Sequence, residues 1–139
     1  MRDILFRAKH IHAFNSNSYL DGQWVEGFLS AENYINDGVS DVLIDPNTIC
    51  QYTGLTDKNG NKIWENDIVK RYNSNGDEWR ISKIVWADHS LNMGWCIEDV
   101  KSLTEYSNRL FKVGFDVNDT EKCEVIGNIF DNADLLKGE

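Results

Sequence analysis

The sequence predicts a mainly β protein: antiparallel, small barrel-like sheets with one or two short helices. Three observations predict it. Apolar residues recur mostly with period two rather than 3.6, as in strands with one buried face. Turn pairs such as Asp21-Gly22, Asp37-Gly38 and Asn59-Gly60 punctuate the chain at short intervals. The 139 residues are 41% hydrophobic and 12% aromatic, with five Trp and one Pro, which is the composition of a packed core and not of a disordered chain.

The elements follow in order. Ile4, Phe6 and Ala8 alternate with Leu5, Arg7 and Lys9 as a first strand. Trp24 to Leu29 follows the Asp21-Gly22 turn as a second. Asp41 to Ile44 is a short β-branched run, stopped by the turn sequence Asp45-Pro46-Asn47, and Thr48 to Tyr52 returns as a strand. Asn59-Gly60 is the favoured pair for a tight hairpin, because both residues tolerate positive φ. Ile68 to Tyr72 reads as a strand, residues 73–77 as a loop, and Trp79 to Trp86 as a long strand ended by Asp88-His89-Ser90. Met93 to Ile97, Phe111 to Val117 and Glu124 to Phe130 complete the strands. Val100, Leu103, Tyr106 and Leu110 have helical spacing, so a short helix is expected within 98–110. Asn132 is placed to cap a last helical turn holding Leu135 and Leu136. The whole reads as one domain, 1–139, with two lobes, 1–52 and 53–139. By fold analogy alone the second lobe looks like a Src-homology-type barrel.

Charge and cysteines narrow the function. Fourteen Lys and Arg against 23 Asp and Glu leave a net charge of −9, which disfavours a broad nucleic-acid binder, because phosphate neutralisation needs clustered cations. Cys50, Cys96 and Cys123 form no CxxC pair and read as reduced thiols. No run approaches the ~18 apolar residues of a membrane helix, and the charged start has no signal-peptide pattern, so a cytoplasmic protein is expected.

Asp57, Asn59 and Asn61 have the spacing of the first three ligands of a calcium loop. However, Ile68 stands where a bidentate Glu is required, so a hairpin turn is expected instead. His10 and His12 would share a strand face, yet neither His89 nor a cysteine is spaced to complete a metal site. Glu65 and Asp67 form a carboxylate pair, better read as turn residues hydrogen-bonding backbone amides. No GxSxG, GxGxxG or P-loop pattern occurs. Catalytic residues, metal ligands and cofactors are therefore all expected to be none. The nucleic-acid candidate is the band 57–83, where six basic residues meet five acidic ones amid tryptophans. Its contacts would be Lys70, Arg71, Tyr72, Arg80 and Lys83. At a net +1 it is a weak footprint.

Gln51-Tyr52-Thr53-Gly54-Leu55-Thr56-Asp57-Lys58-Asn59-Gly60, then Ile63-Trp64-Glu65-Asn66-Asp67-Ile68-Val69, resembles the signature of the YopX family. So do Ile4 to Ala8, Trp24 to Gly27 and Glu124 to Asn132 with Leu135-Leu136. Within the signature, Gln51, Tyr52, Gly54, Asp57, Gly60, Glu65 and Asp67 read as structural turn residues. Asn66 stands where the family usually has Gly, and Asn is the next-best residue at a left-handed position. The resemblance implies a bacteriophage or prophage protein of a bacterial host, mainly β, with a tendency to self-associate. It brings no catalytic residues. The expected partners are a second copy of the chain and a host or phage protein with a basic surface, drawn by the −9 charge.

Overall fold

A computed structural model describes residues 4–11, 22–89, 92–103, 112–114 and 122–136. Eleven strands lie among them, with two short 3₁₀ turns, Pro46–Thr48 and Ala133–Leu136. The mainly β expectation holds. The chain forms two compact units, Met1–Tyr52 and Thr53–Glu139.

The first unit holds β1 (Phe6–Lys9), β2 (Trp24–Ala31), β3 (Tyr34–Asn36), β4 (Asp41–Leu43) and the start of β5 (Cys50–Thr56). The order is β4-β3-β2-β1-β5, all antiparallel where register is defined. Ala8, Ile35 and Ile44 are fully buried, with Phe6, Val25, Val42 and Ile49 packed around them. Period-two alternation puts these residues on one face. Gly27 is required by close approach: a Cβ there would collide with the backbone of Asn36 on β3. The strand expected from Thr48 starts two residues later. Asp45 caps a 3₁₀ turn instead, accepting from Asn47 N at 3.0 Å, with Pro46 at its start.

The second unit holds the end of β5, β6 (Lys62–Trp64), β7 (Asp67–Tyr72), β8 (Glu78–His89), β9 (Asn92–Ser102), β10 (Lys112–Gly114) and β11 (Cys123–Asn128). β6 lies beside β5, and the other strands run in the order β10-β9-β8-β7-β11. Ile63, Val69, Ile84, Ile97 and Cys123 form the core, backed by Leu55, Trp95 and Val125.

Two expectations are corrected here. Among the described residues the Src-homology-type barrel is not formed, because the sheets are not closed. The outer edge of β11 is taken by the β5–β6 turn rather than by a closing strand: Lys58 N donates to Cys123 O (3.1 Å) and Val125 N to Asp57 Oδ2 (2.9 Å). The helix expected within 98–110 is also replaced over its first part. Glu98 to Ser102 continue β9, paired as far as Ser102 with Arg80. A register shift opposite Ile81 and Ser82 leaves Val100 as an extra residue, and such a bulge breaks period two locally. Residues 104–110 lie outside the described residues.

Candidate functional site

Of the signature residues expected in turns, Asp57, Gly60, Glu65 and Asp67 lie in or beside turns, whereas Gln51, Tyr52 and Gly54 lie within strand β5, because the strand pairing continues through them. Asp57 is buried, and its carboxylate closes the β5–β6 hairpin. Oδ1 accepts from the amides of Asn59 and Asn61, both at 2.9 Å, while Oδ2 accepts from Val125 N at 2.9 Å and Asn61 Nδ2 at 3.3 Å. Burial pushes the carboxyl pKa up, but these hydrogen bonds outweigh it and hold the group below its ordinary value of 3.8. The hairpin expectation for Asp57-Lys58-Asn59-Gly60-Asn61 thus has a physical basis: both carboxylate oxygens serve the chain itself. Gly60 (φ +84°) and Gly54 (φ +87°) take left-handed backbone.

The second half of the signature is a tight entry to β7. Asp67 is buried, and its Oδ2 accepts from Trp64 N at 2.8 Å. Asn66 has φ +70° and is the one non-glycine residue with positive φ among the described residues. Its backbone is held from both sides, donating to Ile84 O (2.8 Å) and accepting from Ile129 N (3.0 Å). Glu65 lies half-buried in the same turn, two residues before Asp67. Gln51 pairs with Phe6 of β1, and Tyr52 N donates to Leu5 O.

The five candidate nucleic-acid contacts divide between two faces of the β7–β8 sheet. Lys70 lies opposite Ile81, and Lys83 opposite Ile68, on one face. Arg71 and Arg80 are directly opposite each other on the other face, where the core also lies. Lys70 Nζ meets Glu78 Oε1 at 3.0 Å, and Lys83 Nζ meets Glu98 Oε1 at 3.7 Å. The Glu78 hydrogen bond raises the Lys70 pKa above its ordinary 10.5. Tyr72 donates to Glu124 Oε1 (3.2 Å), and the Lys58 ammonium sits 3.9 Å from its ring centroid.

Asp99 organises the arginine face. Its Oδ1 accepts from Arg71 Nη1 (2.9 Å) and Ser82 Oγ (2.7 Å), and its Oδ2 accepts from Arg80 Nη1 (3.2 Å). The Arg80 and Asp99 side chains are each 1% exposed, and Arg71 is 13% exposed. Both guanidiniums also lie over the Trp79 ring, at 4.8 and 4.6 Å from its centroid. Beside this cluster is a cavity of about 350 Å³, lined by Arg71, Tyr72, Asn73, Ser74, Trp79 and Lys122. Sequence reading named Arg71 and Tyr72 but missed Asp99, Asn73, Ser74 and Lys122. The alternation Arg80-Ile81-Ser82 was the available signal, since it points Arg80 and Ser82 to the face of Ile84.

His10 makes an isolated bridge with Ile44, and its amide donates to Gln23 O at 2.9 Å. His12 and the side chain of His89 lie outside the described residues, so the expectation for this trio is not placed. No group of three or more His, Cys, Asp or Glu fit to hold a metal ion occurs among the described residues. Cys50, Cys96 and Cys123 are buried and form no disulfide. Among the described residues no helix is long and apolar enough to cross a membrane.

A comparison with protein-family models matches residues 7–137 to one family, described as YopX protein. The matched span covers both turn clusters, the Asp99 cluster and the Arg71 cavity. A search of curated proteins finds no match.

Proposed function

The chain belongs to the YopX family, and we propose from that premise that it is a non-enzymatic accessory protein of a bacteriophage or prophage, acting in the host cytoplasm. It self-associates and binds a host or phage protein. The observation that carries this reading is the use of the signature carboxylates. Asp57 accepts four hydrogen bonds from its own chain and Asp67 accepts from Trp64 N, so these groups position turns rather than face a substrate. A partner with a basic surface suits the −9 charge. Exposed Phe28 and Trp86, at 55% and 52%, supply apolar contact area of the kind found in interfaces. Light scattering across a concentration series tests self-association, and a monomer at every concentration overturns that part. A host-lysate pull-down at low salt that recovers no protein overturns the partner.

A second reading is a nucleic-acid-binding module. The observation favouring it is that Arg71 and Tyr72 share one cavity with Trp79 and Lys122. It expects salt-dependent shifts of short DNA. Mobility shifts that stay flat at low salt and high protein concentration remove it.

A further inference from the structure

We propose that the cavity lined by Arg71, Asn73, Ser74 and Lys122, with Tyr72 and Trp79 as its aromatic walls, is a binding site for a phosphate group. The proposal goes beyond the protein-partner reading and does not depend on it. Four observations support it.

The first is the chemistry of the lining. Two cations, an amide, a hydroxyl, a phenol and an indole line the space, and among the described residues no carboxylate does. In a chain of net charge −9 that is a local inversion. Two other cavities are built differently. One of about 280 Å³ includes Glu78 and Asp134 in its lining, and one of about 260 Å³ includes Asp37.

The second is the way Arg71 is held. Asp99 fixes it through Nη1 alone, at 2.9 Å. A guanidinium has five N–H groups in a rigid fork, and one anchored N–H leaves the others to bind an oxoanion. Asp99 also accepts from Arg80, so the two guanidiniums share this carboxylate.

The third is the preformed rim. Asn73 Oδ1 accepts from the amides of Asn75 and Asp77, both at 3.0 Å, and Asn73 N donates to Asp77 O at 2.9 Å. The carbonyl end of the Asn73 side chain is thereby engaged by the loop, which leaves the Nδ2 donors as its other polar end. Lys122 is held beside Tyr72 by its carbonyl, which accepts from Tyr72 N at 2.8 Å.

The fourth is size. About 350 Å³ lies at the small end of ligand pockets and admits a phosphate with its attached sugar. The phosphate can come from a free nucleotide or from a single-stranded nucleic acid, and the test separates these sources.

The full chain is titrated with inorganic phosphate, a nucleoside monophosphate, a short oligothymidylate and, as the carboxylate control, acetate. Amide NMR shifts are read for residues 71–79 and 122. Shifts confined to these residues, with phosphate and not with acetate, are expected. Lys122→Glu should bind phosphate about tenfold more weakly, as fits the loss of a charge-assisted contact. Lys83→Glu makes the same charge change away from the cavity and should leave affinity within about twofold, because distant surface charges are screened. Both positions are solvent-accessible, and unchanged melting temperatures establish that the variants fold. No response to phosphate up to about 10 mM, beyond even weak millimolar affinities, overturns the proposal. So do equal losses in the two variants or equal binding of acetate. Binding of the mononucleotide without the oligonucleotide supports the site and rejects the nucleic-acid module. Binding of the oligonucleotide with neither phosphate nor mononucleotide overturns the site and leaves the module standing.

Discussion

Replacing Asp57 by Ala should destabilise the protein more than any change at an exposed residue of the same hairpin. The carboxylate accepts from three backbone amides, those of Asn59, Asn61 and Val125, and from the Asn61 side chain. A buried amide left without an acceptor costs about 1–3 kcal/mol. Asn59 and Asn61 are exposed, so their amides rehydrate cheaply, while Val125 is half-buried and takes most of the penalty. The change also frees the β5–β6 turn from β11. The expected loss is about 3 kcal/mol, or roughly 12 °C in melting temperature for a chain of this size. Asp57→Asn keeps one acceptor oxygen but turns an NH₂ group toward donors, and should lose about 1–2 kcal/mol. The pH dependence has a definite sign. The folded pKa of Asp57 lies below its ordinary 3.8, so its stabilisation is fully present above that value and is lost as pH falls through the lower folded value. Thermal melts followed by circular dichroism from pH 7 down to pH 2 measure this, with Lys62→Ala, at an exposed site, as the control. An Asp57→Ala protein melting with the control at pH 7 refutes the reasoning. So does an Asp57→Asn profile that falls in acid as steeply as the wild type.

Asp99→Leu removes the carboxylate that two guanidiniums share, one of them on a side chain 1% exposed, and should cost about 3–5 kcal/mol, measured by urea denaturation. Gly27→Ala drives a Cβ into the Asn36 backbone, which cannot swing away as a side chain can. A loss of about 1–3 kcal/mol is expected in the same assay. Asn66→Ala places a less tolerant residue at φ +70° and should cost about 1 kcal/mol, whereas Asn66→Gly should be near neutral.

Legibility in the sequence tracked locality. Asn59-Gly60 and Asn66-Asp67 are read directly because their geometry depends on residues a few positions away: Asp67 caps Trp64 N, and Asn66 supplies the left-handed residue. Asp99 was not readable. It lies 28 positions from Arg71 and 19 from Arg80, and only the register of β7, β8 and β9 brings the three together. The same register explains why the first part of the expected helix is strand. Val100 is the extra residue opposite Ile81 and Ser82, so the bulge mimics a spacing of three at the point where the strand continues. Barrel closure failed for a related reason. Whether β11 ends as an edge depends on what fills that edge, and the answer is a turn carboxylate far away in sequence.

The same non-locality changes the meaning of the near-neutral band 57–83. Counted along the chain, its six basic residues almost balance five acidic ones. In the fold, much of the balancing charge comes from outside the window, from Glu98 and Asp99 on β9 and Glu124 beside Tyr72. The pairs differ in strength. Lys70–Glu78 and Lys83–Glu98 are solvent-facing, worth at most about 1 kcal/mol each, so a competing phosphate could displace either carboxylate. Arg80 is buried and Arg71 half-buried against Asp99, and removing that carboxylate is expensive. Moreover, the two lysines and the two arginines occupy opposite faces of the sheet, so a single nucleic-acid backbone lying along one face meets only one of the pairs. A polymer reading of the band therefore reduces to a choice of face. Among the described residues, Arg71 lines a cavity that holds a second cation, Lys122, and that neither Lys70 nor Lys83 lines. Any phosphate ligand of this unit should then depend on Lys122 and be indifferent to Lys83, a contrast that the linear charge count does not contain.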